Sequence, residues 1–194
     1  MEKLIGKNKI NSVIFFSGTG SNLRNLIKFS KKRKFPIKVS FVVSSNNKAK
    51  GILFAKKEKI KYYTFNFKEK KNIENRLIKL LKKEKIQLIL LAGFMKILSK
   101  RFIKEFKYPI LNIHPSLLPK YKGLNTHQRV INNKEKYSGC TVHLVNEKLD
   151  SGKIVMQKKV KVLKSDNSLR LKARVLRQEH KLYPLAIYKF ISNL

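Results

Sequence analysis

Four apolar runs, "INSVIFF" (10–16), "IKVSFVVSS" (37–45), "IQLILLAG" (86–93) and "YPILNI" (108–113), alternate with segments whose apolar residues recur at helical spacing. That alternation most narrows the fold. Runs too short to be long helices, apolar on both faces and separated by amphipathic helices, predict a mostly parallel sheet with helices packed on it. The helical stretches read as "SNLRNLIKFSKK", with Leu23, Leu26 and Ile27 in phase, "AKGILFAKKEK" (49–59), residues 69–85 with Ile73, Leu77, Leu80 and Leu81 on one face, and "SKRFIKEF" (99–106) with Ser99 as N-cap. A short "IKYYTF" (60–65) is a further strand. Beyond residue 125 the pattern changes. A helix "THQRVINN" leads into two alternating strands around a "KLDSG" turn, expected to be antiparallel at or near the sheet edge, and then a long helix bent by Pro184. The expected fold class is α/β: a single-domain, Rossmann-like, mostly parallel open sheet flanked by helices, with antiparallel strands in the C-terminal half. No Ser/Gly/Pro linker marks a boundary, so residues 1–194 are read as one domain.

In open sheets of this kind ligands bind at the carboxyl ends of the strands. Four polar clusters fall there: 17–22, 92–98, 112–123 and 146–152. "SGTGSN" (17–22) passes from strand to helix, and its glycines and helix N-terminus suit an anion. It lacks the third glycine of a dinucleotide fingerprint and the Gly-Lys-Ser/Thr ending of a nucleoside-triphosphate loop. A plain tight turn with Ser21 as N-cap is the alternative. In "LNIHPSLLPKYKG" (111–123) Asn112 and His114 supply an amide and an imidazole two residues apart, a pair suited to an oxyanion and to proton transfer near neutral pH; two satisfied loop residues would look the same. Asp150, one of only two aspartates, either orients His114 and raises its pKa or serves the Asp-Ser-Gly turn. "AGFMKIL" (92–98) offers Phe94, Met95, Ile97 and Leu98 to a flat ring or simply to the core. His127 and His180 read as helix-surface residues and His143 as part of an alternating strand; none is given chemistry. No His, Cys or carboxylate pair has convincing zinc spacing, so no metal is expected.

The chain carries a formal charge of +35, from 38 Lys and 8 Arg against 11 acids. The lysines run along the whole sequence, and arginine, the usual reader of bases, is scarce. Lys, Asn and Ile make up 73 of 194 residues, the composition that adenine- and thymine-rich codons would give. Compositional bias is therefore set against a polyanionic partner, with no specific nucleic acid expected. The longest apolar stretch is too short to span a bilayer, the first residues lack a secretory leader, and the lone Cys140 reads as a small core residue in a reducing compartment. A cytoplasmic protein with no membrane partner is expected.

The segments "SGTGSNL", "LAGFMKILS", "LNIHPSLLPKYKG" and "LDSGKIVMQ", in this order and spacing, resemble the phosphoribosylglycinamide formyltransferases from about residue 10 to 190. The resemblance implies formyl transfer from 10-formyltetrahydrofolate, a co-substrate, to the amine of glycinamide ribonucleotide in purine synthesis. It implies Asn112, His114 and Asp150 as catalytic residues, with His114 held protonated by Asp150. It places the ribonucleotide on Gly20, Ser21 and Asn22 with Arg177, Gln178 and Glu179. It places the folate on Met95, Lys96, Ile97 and Leu98, on Asn112, and on Asn146, Glu147, Lys148, Leu149 and Asp150, with Lys70 the nearest match to a basic folate contact. Two positions depart from the family pattern: Asn125, where a histidine is expected, and Leu176, where a polar residue is common. Methionyl-tRNA formyltransferase and formyltetrahydrofolate deformylase share the trio but carry additional domains; the chain's length leads us to expect neither. A basic nucleic-acid-binding protein on the same scaffold is the alternative from another class. Either a monomer or a homodimer fits.

Overall fold

In the computed structural model, which describes residues 9–193, the strands hydrogen-bond in the order β3-β2-β1-β4-β5-β6-β7. In chain order the elements are β1 (Ile10–Phe16), α1 (Ser21–Ser30), β2 (Ile37–Ser44), α2 (Gly51–Lys57), β3 (Tyr62–Thr64), a 3-10 turn (Phe67–Glu69), α3 (Lys70–Lys83), β4 (Leu88–Leu91), α4 (Lys100–Phe106), β5 (Ile110–His114), α5 (Thr126–Asn132), β6 (Tyr137–Leu144), β7 (Ile154–Lys161) and α6 (Ser168–Ser192). β1 pairs in parallel with β2 and β4, and β2 with β3. β6 and β7 pair antiparallel, from Tyr137 opposite Lys161 to His143 opposite Ile154. The alternation of strand and helix, the parallel ladder and the antiparallel C-terminal pair all match the sequence reading. The expectation about a leader falls largely on residues outside those described.

Contacts concentrate in two compact units, one running to Leu111 and including the last residues from Ile191, the other spanning Asn112–Phe190. The division falls inside β5, between Leu111 and Asn112, and not at a linker.

In the first unit, β1 is buried on both faces because β2 and β4 flank it and helices cover it; Val13, Ile14, Phe15 and Phe16 are fully buried. The polar Ser12 survives there by donating its hydroxyl to the Lys38 carbonyl at 2.9 Å. Leu23, Leu26 and Ile27 give α1 its buried face. Ser99 caps α4 as predicted, its Oγ accepting from Phe102 N at 3.0 Å, while its own N–H donates to the buried Glu74 of α3 at 2.8 Å. Ser21, by contrast, is not an N-cap. The cap position of α1 is Gly20, left-handed at φ 76, and no side chain caps it. A Cβ on Gly20 would also lie 2.6 Å from the Gly51 Cα, so the turn needs glycine twice over, for conformation and for space.

In the second unit Cys140 is buried, and burial pushes its thiol up to about 12, so it is an inert core residue as expected. α6 runs on through Pro184.

Four helices end on a lysine in the left-handed region: Lys59, Lys85, Lys107 and Lys134, with φ between 50 and 59. After α3 the Ile86 N–H reaches back to the Leu81 carbonyl at 2.9 Å, and after α5 the Glu135 N–H reaches Val130 at 3.2 Å. This is the Schellman closure, whose left-handed residue is normally glycine. A side-chain-bearing residue costs about 1–2 kcal/mol there, and glycine returns about 0.5–1 kcal/mol of that as chain entropy. Lys85→Gly and Lys134→Gly are therefore each expected to stabilise the protein by about 0.5–1 kcal/mol, roughly 2 °C in thermal unfolding. Lys85→Ala and Lys134→Ala separate backbone relief from loss of charge: the alanine variants should gain nothing, and equal gains from alanine and glycine would refute the backbone account.

Candidate active site

The second unit gathers Asn112, His114 and Asp150 as the sequence predicts, and adds His143. Asn112 and His114 point the same way along β5 because side chains repeat every two residues on a strand. His114 is 6% exposed and His143 only 2%. The loop after β5 is braced from below. Thr141 Oγ1 donates to the Ser116 carbonyl at 2.7 Å and accepts from Leu118 N at 3.1 Å, and Gln157 Nε2 donates to the Leu118 carbonyl at 2.7 Å. The Leu118–Pro119 peptide is cis. Tyr121, at φ 57, is pinned through its hydroxyl, which donates to Glu135 at 2.9 Å and accepts from Asn133 at 2.9 Å.

That brace fixes the Tyr121 carbonyl 2.9 Å from His114 Nε2. A carbonyl can only accept, so Nε2 carries the proton, and any proton that His114 exchanges sits on Nδ1. Nδ1 faces Asp150 Oδ2 at 3.4 Å. The same carboxylate oxygen accepts the Gly123 N–H at 2.8 Å, and Oδ1 lies 3.6 Å from His143 Nε2. His143 in turn has Nδ1 2.8 Å from the Leu144 carbonyl and Nε2 3.1 Å from the Asn112 amide nitrogen. Nδ1 is therefore the donor and Nε2 accepts from Asn112, which orients that amide and leaves its second N–H to point elsewhere.

Burial pulls the His114 pKa below the ordinary histidine value, and that outweighs the Tyr121 hydrogen bond and the Asp150 charge that raise it. The expectation that Asp150 keeps His114 protonated is thus not met in the ligand-free site. For Asp150 burial acts upward, but contact with His143, the Gly123 N–H and the attraction of His114 in its protonated form together hold its carboxyl below the usual value. His127 is half-buried, not a surface residue. Its Nδ1 has no hydrogen-bond partner, and burial, then Lys172, push its pKa down to about 4. His180 is also half-buried, and burial lowers its pKa.

His143 is the residue the sequence reading passed over. The signal was its parity in β6: it shares a strand face with Thr141, whose hydroxyl meets the loop after β5. Asn125, the departure from the expected histidine, caps α5 in the left-handed region at φ 54, which asparagine tolerates. Asn146 closes a turn by accepting from Lys148 N at 3.0 Å, Leu149 is 52% exposed, and Asp150 ends this segment at φ 45. On α6, Glu179 is buried, Gln178 half-buried and Arg177 exposed.

Glu147 and Lys148 are exposed beside Asn146; the other predicted site residues belong to the first unit. Gly20, Ser21 and Asn22 open α1, and Lys70 opens α3. Ser17 ties the glycine turn to the segment after β4: its N–H donates to Gly93 at 3.1 Å and its Oγ accepts from Met95 N at 2.8 Å. Met95, Lys96 and Ile97 are exposed there, whereas Leu98 is buried in the core and Phe94 packs edge-on against Phe15 and Phe67. A cavity of about 590 Å³ lies between Met95, Lys96 and the ends of the first three strands, at Ser17, Ser45–Asn47 and Thr64–Asn66. Among the described residues no group of three or more His, Cys, Asp or Glu could hold a metal ion.

Residues 10–187 match the family described as formyl transferase. The chain is 41% identical to a phosphoribosylglycinamide formyltransferase of Haemophilus influenzae, over 93% of this chain and 86% of that protein. It is 37% identical to the trifunctional purine biosynthetic protein adenosine-3 of Gallus gallus over 97% of this chain, which spans about a fifth, 19%, of that much longer protein. Among solved structures, a phosphoribosylglycinamide formyltransferase from Brucella melitensis superposes with a TM-score of 0.90 at 43% identity, covering 96% of this chain and 98% of that one. The buried Asn-His-Asp cluster, the parallel sheet and these matches agree: the chain belongs to the formyl transferase family, among the phosphoribosylglycinamide formyltransferases.

Proposed function

We propose that this chain transfers the formyl group of 10-formyltetrahydrofolate to the amine of glycinamide ribonucleotide, a step of purine synthesis, in the cytoplasm. The observation that carries the reading is the convergence of Asn112, His114 and Asp150 in one buried cluster with His143. The reaction forms one C–N bond and breaks another. The substrate amine attacks the formyl carbon, and the carbonyl electrons move onto oxygen as a tetrahedral oxyanion. The Asn112 N–H not held by His143 donates to that oxygen. The attacking nitrogen loses a proton to His114 Nδ1, the ring position left open by the Tyr121 carbonyl. His114 then supplies a proton to the departing folate nitrogen, giving the formamide and tetrahydrofolate. The oxyanion beside the ring favours the imidazolium, so His114 begins neutral and becomes charged as the intermediate forms. Asp150 faces Nδ1 throughout and stabilises that charged form.

Both substrates are anionic. By resemblance the ribonucleotide phosphate takes Gly20, Ser21 and Asn22 with Arg177–Glu179, and the folate takes Met95–Ile97, Asn146–Asp150 and Lys70.

The direct test is a transfer assay with 10-formyltetrahydrofolate and three alternative acceptors: glycinamide ribonucleotide, methionyl-tRNA or water. Turnover that requires the ribonucleotide is expected; turnover with only tRNA or water would move the chain to a sister activity. His114→Ala is expected to lower kcat by at least ~10²-fold with the fold intact, the usual weight of general acid–base catalysis. His143→Leu leaves the Asn112 amide unanchored and should forfeit much of the ~10²–10³-fold that an oxyanion donor contributes, chiefly in kcat. The free enzyme uses neutral His114, so kcat/KM should fall as pH drops through its lowered pKa. Asp150→Asn removes a charge that raises that pKa, so the acidic limb should move further down as turnover falls. An unmoved limb in Asp150→Asn would remove Asp150 from this role.

A further inference from the structure

Most of the charge of +35 has no part in the proposed reaction, and within the first unit it is not evenly placed. Because β1, β2, β3 and β4 are parallel and each helix crosses back over them, the helix C-termini and the strand beginnings fall at one end, opposite the glycine turn. Four chain segments meet at that end: 28–38, 56–61, 82–85 and 104–107. They carry six, four, three and two cations, fifteen in all, every one exposed, against three glutamates, an excess of twelve positive charges. Each glutamate faces a lysine of a neighbouring segment. Lys31 meets Glu58, Lys61 lies 3.4 Å from Glu84, and Lys82 lies 3.7 Å from Glu105. These three bridges run across the base of the sheet and show that the four segments form one continuous surface.

Helix dipoles favour a cation in the last turn, but they do not explain the residues that follow. Lys59, Lys85 and Lys107 occupy left-handed positions where the backbone favours glycine. Aromatic rings are interleaved with the charges: Tyr62 is 38% exposed with the Lys56 ammonium 5.7 Å from its centroid, Tyr108 is 48% exposed, and Lys32 lies over the Phe29 ring at 4.4 Å. Lysines tracking a phosphate backbone and rings on which bases stack are the composition of a single-strand binding surface. Interfacial rings also suit an anionic membrane, and the vesicle arm of the test below separates that partner from a strand of bases.

We propose that this base binds single-stranded nucleic acid without sequence preference, as an activity separate from formyl transfer. The test is fluorescence anisotropy of a labelled 20-nucleotide uridine RNA and its DNA counterpart with the full chain, in 50–200 mM KCl. Micromolar binding at 100 mM is expected, weakening about 100-fold from 50 to 200 mM, as for about five neutralised phosphates at ~0.7 counterions each. The triple variant Arg33→Glu, Lys34→Glu, Lys83→Glu should lose at least tenfold in affinity while keeping wild-type formyl transfer and thermal unfolding. The triple Lys158→Glu, Lys159→Glu, Lys161→Glu on β7, with the same change in charge, should lose at most threefold. Should the first triple unfold, Arg33→Gln with Lys34→Gln and Lys83→Gln asks the same question with a smaller perturbation. Tyr62→Ala should weaken binding severalfold with no change in salt slope. Equal losses from the two triples, no binding at 100 mM, or stronger retention on phosphatidylglycerol vesicles than on RNA would each overturn the proposal.

Discussion

One buried carboxylate organises the candidate site. Asp150 ends a turn in the left-handed region and is nearly closed to solvent, so its charge must be met by protein groups. One oxygen accepts the Gly123 N–H, and two imidazoles lie against the carboxylate, His114 through Nδ1 and His143 through Nε2. Those contacts connect three separate pieces of chain: the loop after β5, the end of β6 and the turn before β7. Replacing the aspartate with an apolar residue would leave the Gly123 N–H with nothing to accept from it and would remove the charge that stabilises His114 once that ring is protonated. His114 and His143 thus share one carboxylate whose full attraction is felt only when a ring takes up its second proton.

The histidine beside it is poised by opposing effects. Burial disfavours the imidazolium, and Asp150 favours it without prevailing in the ligand-free site. A base that is neutral at rest can take a proton, and an acid formed next to a new oxyanion can hold it until the leaving nitrogen needs it. The Tyr121 carbonyl confines that exchange to one ring nitrogen. The rigidity comes from ordinary hydrogen bonds, those of Thr141, Gln157 and Glu135, which hold the loop so that the tautomer is set by backbone position.

What could be read from the sequence follows the range of the forces involved. The helices and parallel strands were legible because burial repeats with a fixed period, and Ser99 was legible because capping is local. Asn112, His114 and Asp150 stood out as sparse polar residues at strand ends, but that pattern left a plain loop and turn open, and only the resemblance gave them chemistry. His143 was missed because, inside a strand, a histidine reads the same whether it faces core or site; only the pairing of β6 decides it. The protonation of His114 was misjudged because the sequence shows the neighbouring charge but not the depth of burial that outweighs it. The alternative of Ser21 as a cap fails because the cap position is Gly20, whose close approach to Gly51 is a tertiary constraint invisible in "SGTGSN" alone.

The same distinction bears on the charge. A surface cation adds to a field that draws anionic substrates inward; that contribution fades beyond a Debye length but is indifferent to the backbone conformation beneath it. A lysine in a left-handed turn is not indifferent: it holds its place against a backbone preference of about 1 kcal/mol. Lys134 holds such a turn outside the basic end, so left-handed lysines alone follow from composition; the ring contacts and glutamate bridges that coincide on one end of the parallel sheet do not. Position, more than total charge, separates a surface that is merely basic from one shaped for a polyanion.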